Sequence, residues 1–576
     1  MLRPDARLPR VALIAAFIVL LGGIVMLFAG AWVVGATWDE KTHVVFLQTF
    51  FDIGWNTDPI AIQEGRPDPS YIWGIYVYGP VAELISHGTS VLLGAEEWGR
   101  PTFDALSTST RHVGTALSAL IGIAAAGATV GVITRSWRWG IFGASLLAST
   151  PLWLGHGMFN IKDTPVAAGY AVATFGTALI LRDRTWVTRR PLIWGVVFLV
   201  LGTVLAAGTR AASGVPILVG SLFGAGLWSF LLLRSDRQNR SWRPGLIRLG
   251  WMLGGLSTAY LAMVLIYPNV FANPFELAWQ AIVVSARFPF DEQVLTAGIW
   301  MDQPPPLSYL PLWFGAQLPL LILIAGIGFT VYWVVQVSRV TFRSATSPLD
   351  PARLAAISPV ILQVFLLPSL AAAGRSTMYN GQRQFLFVVP AIAVLAGLGV
   401  WMAWSFVQQK SLHSRFLAPA YWTVVLLGLL VPFIAQAFLF PYNYTYYNAA
   451  ASIRPIDGNW PTDYWRASSR ELWERLPIDG PSACAYESFR YDSLKRCEDE
   501  GMFQPYLDRR GLAAKPGSLA PGQIWLIREN QGITNPGPGC EVHDEITRPL
   551  FQQTIVIGQI LKCDYPTAWK TDSAKP

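Results

Sequence analysis

The stretch VALIAAFIVLLGGIVMLFAGAWVVGATWDEKTH (11–43) decides the fold. Its first part, Val11 to Val34, is an apolar run long enough to cross about 30 Å of hydrocarbon at 1.5 Å rise per residue. It is too long for a signal-peptide core, and no cleavage-type small-residue site precedes the polar sequence, so it reads as a retained membrane helix. Two carboxylates, Asp39 and Glu40, follow almost at once.

Ten further apolar runs lie outward from it, at 111–133, 139–155, 164–181, 191–208, 212–233, 247–267, 309–337, 354–372, 382–406 and 416–439. The chain is 52% hydrophobic and only 14% charged, against about 25% charged in a typical soluble domain. The net charge of +7 raises the question of nucleic acid. The basic residues, however, sit mostly in short loops, as the positive-inside rule requires of a membrane protein, so no nucleic-acid partner is expected. Arg3, Arg7 and Arg10 precede the first run; Arg135 and Arg138 follow the second. RDRTWVTRR (182–190), RSDRQNRSWR (234–243), Arg339 and Arg343, and Lys410 and Arg415 follow the fourth, sixth, eighth and tenth. With eleven crossings all of these fall on one side, which is then cytoplasmic. The expected protein is a multi-pass cell-membrane protein in contact with the bilayer throughout. Its N-terminus is cytoplasmic and its C-terminus is outside.

The expected membrane domain covers residues 1–440, with outer loops 35–110, 156–163, 268–308 and 373–381. Within the first loop, YIWGIYVYGPVAELISHGTSVLLG (71–94) is apolar enough to imitate a crossing. Counting it would invert every later loop, so it reads as an interfacial or half-inserted helix. From 441 to 576 the composition becomes that of a soluble domain outside the membrane. DYWRASSRELWERL (463–476) suggests an amphipathic helix with Trp465, Leu472, Trp473 and Leu476 on its apolar stripe. QIWLIR (523–528) and QTIVIGQIL (553–561) suggest strands, giving a small α+β domain. All four cysteines, Cys484, Cys497, Cys540 and Cys563, lie in this tail, as an oxidising compartment permits. Of the three possible pairings, sequence proximity favours Cys484–Cys497 with Cys540–Cys563. No C-x-x-C spacing supports a metal there.

The outer loops hold the candidate chemistry. GHGMFNIKDTP (155–165) packs His156, Asn160, Lys162 and Asp163 into one short turn. Asp163 ahead of Thr164–Pro165 is a plausible helix cap. Capping does not explain Lys162, a cation on the side where the charge rule disfavours it. Arg210, Arg375 and Arg383 are further outer cations. A cationic cluster opposed to Asp39 and Glu40 has the composition of a site for a phosphate-bearing ligand, and the carboxylates are able to deprotonate a hydroxyl.

These segments resemble, in order, those of the lipid-carrier-dependent glycosyltransferases of the GT-C superfamily. WDEKTH (38–43) is similar to their acidic first-loop motif and FNIKDTP (159–165) to their N-x-K-D-x-P motif. YPNVFANPFELAWQAIVVSARFPF (267–290), YNGQRQFLFVVP (379–390) and PYNYTYYN…DYW (441–465) are similar to later segments. The likeness is nearest to the protein O-mannosyltransferase-like branch, family 39. Two departures stand out: Gln384 follows Arg383 where the family often has His, and AAASIRPIDGNW (449–460) replaces a glycine pair.

The resemblance implies an inverting hexosyl- or pentosyltransferase, mannosyltransferase-like. It would move a sugar from a polyprenyl-phosphate carrier to a hydroxyl of a protein, glycan or lipid on the outer face. It implies Asp39 as the general base and Glu40 as the group orienting the acceptor or the base. Lys162, Arg210 and Arg383 would meet the donor phosphate. Asn160, Asp163, His43, Tyr447 and Asn448 would support the site or the acceptor, although Tyr at that depth is also an ordinary interface anchor. No nucleotide motif is present and a lipid-linked donor needs none. His43 and His156 invite a divalent-metal reading. Two histidines and two carboxylates without helical spacing do not make a ligand set, so neither metal nor other cofactor is expected. The alternative is a transporter or flippase of lipid-linked sugars. Transporters place ionisable residues at mid-bilayer, whereas the runs here carry almost none. A sensor with an outer domain leaves the outer-loop cations unexplained.

Overall fold

The computed structural model describes residues 7–53, 78–184, 189–235, 241–272, 279, 283, 288, 290, 292–343, 349–410, 416–475, 506, 523–530, 532, 534–537 and 539–564. Among them, ten helices are long and apolar enough to cross a membrane. The first is α1 (Arg10–Val33). A short α2 (Glu40–Ile53) and α3 (Val81–Leu92) follow, then α4 (Ala105–Thr134). The start of α4 is fixed by a capping box: Asp104 accepts from the Ser107 N–H, and the Ser107 hydroxyl accepts from the Asp104 N–H. At 12 residues α3 is too short to span; residues 71–77 of the segment expected to be interfacial lie outside the described set.

The run 139–155, expected as one crossing, is two helices, α5 (Trp137–Ala148) and α6 (Pro151–Phe159), neither long enough to span alone. Pro151 has no N–H to give, and Thr150 before it is extended, so the helix breaks there. The two pieces still traverse the bundle. Gly140 lies by Gly131 and Trp153 by Gly122 of α4, while Ala148 and Met158 lie by Gly23 and Gly30 of α1. Next come α7 (Asp163–Leu181), α8 (Arg190–Ala207), α9 (Gly214–Ser235) and α10 (Arg243–Ile266). On α7, a Cβ added to Gly169 would sit 2.6 Å from the Ala206 backbone nitrogen. Glycine there is what lets α7 and α8 approach as closely as membrane helices do through small residues.

The run 309–337 is not one helix but α11 (Tyr309–Gln317) and the spanning α12 (Leu320–Arg343). Pro319 forces Leu318 into extended backbone between them. Then follow α13 (Pro351–Ala373), α14 (Val388–Lys410) and α15 (Leu417–Leu439). The arginine-rich connections gather at one end of the bundle, where Arg135 pairs with Asp183 and Arg184 with Asp350, each at 3.0 Å.

A hairpin of β1 (Val294–Thr296) and β2 (Ile299–Met301) lies at the opposite end. Beyond α15, the helix expected over 463–476 shrinks to α16 (Ser469–Arg475). Arg466 there has φ +60°, and the Asp463 carboxylate takes the Ala467 and Ser468 N–H groups, so the backbone cannot be helical. Trp465 therefore leaves the predicted stripe. β3 (Gln523–Glu529), β4 (Cys540–Leu550) and β5 (Gln553–Asp564) form an antiparallel sheet in the order β3-β5-β4. Cys540 and Cys563 are register partners and are disulfide-bonded; Cys484 and Cys497 lie outside the described residues.

Candidate active site

Six chain segments converge at the end of the bundle opposite the arginine-rich loops. The turn after α1 brings Asp39, and the turn between α6 and α7 brings Asn160, Lys162 and Asp163. The segment before α3 brings Tyr78. It is pinned to the end of α8 by Gly79 N–H to Thr209 O (2.9 Å) and Val81 N–H to Gly208 O (3.0 Å), and there Arg210 follows. The 3-10 turn Arg383–Phe385 brings Arg383, and the stretch before α16 brings Tyr464 and Trp465.

Lys162 Nζ donates to Asp39 Oδ2 and lies 3.4 Å from the Tyr78 hydroxyl. Asp163 is not a cap. Its carboxylate accepts from Arg383 (3.2 Å) and Asn160 Nδ2 (3.1 Å) and lies 3.5 Å from Arg210, while its own N–H donates to Asn160 Oδ1. Arg210 also donates to the Tyr78 hydroxyl at 3.2 Å. Three cations thus face two carboxylates, leaving one positive charge in excess. The Nε–H groups of both Arg210 and Arg383 are buried without an acceptor among the described residues, an arrangement that costs free energy unless an anion is there to accept.

Aromatic faces hold the cations in place. The Arg383 guanidinium lies 3.7 Å over Trp465 and 5.0 Å from the Tyr379 ring, on which Phe290 stacks at 4.1 Å. Lys162 lies 4.8 Å over Tyr78 and 5.4 Å over Trp465. Burial by itself would raise the Asp39 carboxyl; Lys162, then Arg383 and His43, overcome it and hold Asp39 below the usual value. Burial would likewise lower Lys162, and Asp39 raises it instead. Tyr78 is brought down by Lys162 and Arg210 against its own burial.

The other sequence candidates are placed as follows. Glu40 is engaged elsewhere: its Oε1 accepts from the Thr37 N–H (2.8 Å), the Thr37 hydroxyl (2.7 Å) and His112 Nε2 (3.0 Å). It braces the turn that carries Asp39. His43 Nδ1 lies 2.6 Å from Glu83, at ion-pair distance but out of line for a hydrogen bond. His156 is engaged by Tyr464 and Asn160, both at 3.1 Å. No group of three or more His, Cys, Asp or Glu among the described residues is placed to hold a metal. Tyr447 and Asn448 are fully buried and bonded to backbone carbonyls, those of Pro461 and of Gly315 and Leu318. Tyr78 and Trp465 were missed by sequence reasoning. The first lay in a segment read as interfacial and the second on a helix stripe.

No family model and no curated protein matches the sequence. Solved structures do. The archaeal oligosaccharyltransferase AglB from Archaeoglobus fulgidus, solved with an inhibitory peptide and a dolichol-phosphate, aligns over 89% of this chain with TM-score 0.50 and 11% identity. This chain shares the fold of that oligosaccharyltransferase over the aligned part. This chain spans 61% of the archaeal protein's length. ArnT from Cupriavidus metallidurans bound to undecaprenyl phosphate aligns over 97% of this chain and 99% of its own, with TM-score 0.41 and 13% identity.

Proposed function

We propose that this protein transfers a sugar from a polyprenyl-phosphate carrier to an acceptor hydroxyl at the outer face of the membrane. The carrying observation is the buried set of Lys162, Arg210 and Arg383 at one end of the bundle, with Asp39 beside it and two guanidinium Nε–H groups lacking acceptors among the described residues. The position suits a lipid donor, whose tail lies in the bilayer and whose phosphate lies at the interface.

Asp39, kept ionised by its neighbours, takes the proton of the acceptor hydroxyl. The oxygen attacks the anomeric carbon from the face opposite the phosphate. As the carbon–oxygen bond to phosphate breaks, its electron pair stays on the phosphate, and a monoanionic diester becomes a dianionic monoester. The gained charge develops where Lys162, Arg210 and Arg383 converge, the interaction that lowers a transition state more than a ground state. Lys162 also has a coupling role. A phosphate that shares its ammonium weakens the hold on Asp39 and so frees the carboxylate for the hydroxyl. Asp163 keeps the two guanidinium groups apart and aligned.

Mannose or another hexose or pentose remains the proposed sugar class, and protein, glycan or lipid the acceptor class. Purified protein incubated with radiolabelled polyprenyl-phosphate sugars and a membrane extract should move label from the lipid fraction into an acceptor. Failure with every donor, together with movement of the intact lipid-linked sugar between leaflets of proteoliposomes, would replace the enzyme with a carrier.

A further inference from the structure

Asp39 lies at the end of a turn, residues 34–39, that belongs to the membrane domain but is held largely by the C-terminal residues. The Gly35 N–H donates to Ala467 O at 3.0 Å, and the Ala36 N–H donates to the Tyr506 hydroxyl at 2.6 Å. The Ser469 hydroxyl donates to Ala36 O at 2.7 Å, and Arg470 donates to Trp32 O at 2.8 Å. The approach is close enough that a Cβ on Gly35 would run into the Ser469 hydroxyl and the Arg470 backbone nitrogen.

The last link reaches the residue next to Asp39. The Arg466 guanidinium lies 3.8 Å over the Trp38 ring. Arg466 Nε in turn donates to Glu529 Oε2 at 3.0 Å, and this pair is buried, with 3% and 5% of the side chains exposed. Glu529 ends β3, so the pair ties the sheet to the turn. Arg466 also adopts φ +60°, a left-handed backbone that disfavours a non-glycine residue and persists where surrounding structure over-determines it. A buried ion pair contributes little net stability and is better understood as fixing one arrangement.

We propose that Arg466, held by Glu529, is a positioning residue for Asp39, which makes the C-terminal domain part of the catalytic centre rather than an appendage. The proposal rests on the function given above. Arg466 reaches Trp38, beside the base, and Glu529 of the sheet, so its loss should misplace Asp39 and spare the donor phosphate contacts of Lys162, Arg210 and Arg383. A planar group stacked on an indole is also not replaced by an ammonium.

The test uses the full-length protein in detergent, with hydrogen exchange read peptide by peptide beside steady-state transfer. Arg466→Met should speed exchange of the Gly35 and Ala36 amides at least tenfold, lower kcat at least tenfold, and leave the donor KM within twofold. Arg466→Lys should stay within threefold of Arg466→Met. Glu529→Gln, the milder change, should move the same quantities in the same direction, and the double variant should be no worse than Arg466→Met. Unchanged exchange over 34–43, a donor KM that rises as kcat falls, or exchange that quickens throughout the chain would each overturn the proposal. Faster local exchange in a protein whose wild type transfers no sugar would leave the clamp standing and remove the enzyme reading instead.

Discussion

Asp163→Asn tests the electrostatic account most severely. The carboxylate is buried, with 4% of its side chain exposed, and balances Arg383 at 3.2 Å and Arg210 at 3.5 Å. Asparagine keeps the shape but removes the charge, so the excess in the cluster rises from one positive charge to two. It also sets an amide NH₂ against either a guanidinium or Asn160. Breaking a buried pair by removing one partner costs about 3–5 kcal/mol, because the other charge stays behind without compensation. The variant should therefore unfold at distinctly lower temperature in detergent. An added anion supplies what the carboxylate did, and a ligand at a hundred times its Kd adds about 2.7 kcal/mol. Polyprenyl phosphate should stabilise Asp163→Asn more than it stabilises the wild type and close most of the gap. Thermal unfolding with and without polyprenyl phosphate measures both quantities. Equal stability of the two proteins, or a gap that polyprenyl phosphate leaves untouched, would refute the reasoning.

Asp39 is held below its usual value and Lys162 above its own, so the base is ionised above its lowered pKa and the ammonium is charged below its raised one. In rate measurements against pH, kcat/KM should show no acid limb from Asp39 above about pH 4; a limb near pH 6 that vanished in Asp39→Asn would contradict this. Cys540 and Cys563 close a loop with a sequence separation of 23, and Cys540→Ser should cost the sheet about 3 kcal/mol, readable as a shift in denaturant midpoint. With the arginine-rich end inside, a cysteine at the exposed Ser235 should be shielded from an impermeant thiol reagent in intact cells, and one at the exposed Ile453 should react; the reverse pattern would invert the topology.

The spans were legible because crossing hydrocarbon demands long apolar runs, and little else in a sequence imitates them. Proline decided where that reading slipped: Pro151 splits one run into α5 and α6, and Pro319 splits another into α11 and α12. Lys162, Arg210 and Arg383 could be found because cations are scarce in a chain so poor in charge and because they stand opposite the arginine-rich loops. Trp465 could not be found. A tryptophan at helical spacing looks like core until the fold shows Asp463 taking the N–H groups that a helix would need. The Arg466–Glu529 pair joins residues 63 apart in sequence, and no local pattern signals such a contact. β4 was missed because CEVHDEITRPL is charged and carries Pro549. Those traits mark an edge strand, and at the edge of its sheet is where it lies.

The central claim is that Asp39 activates an acceptor hydroxyl beside a cationic phosphate site. Asp39→Asn preserves size and removes the ability to accept a proton, and loss of a general base typically lowers a rate about 10²–10⁴-fold. The decisive measurement is transfer of labelled sugar from a polyprenyl-phosphate donor by purified Asp39→Asn, with donor binding measured on the same preparation. The account predicts undiminished donor binding and transfer at about a hundredth of the wild-type rate or less. Near-wild-type transfer would contradict it and return the search for the base to Glu40 and Asp163.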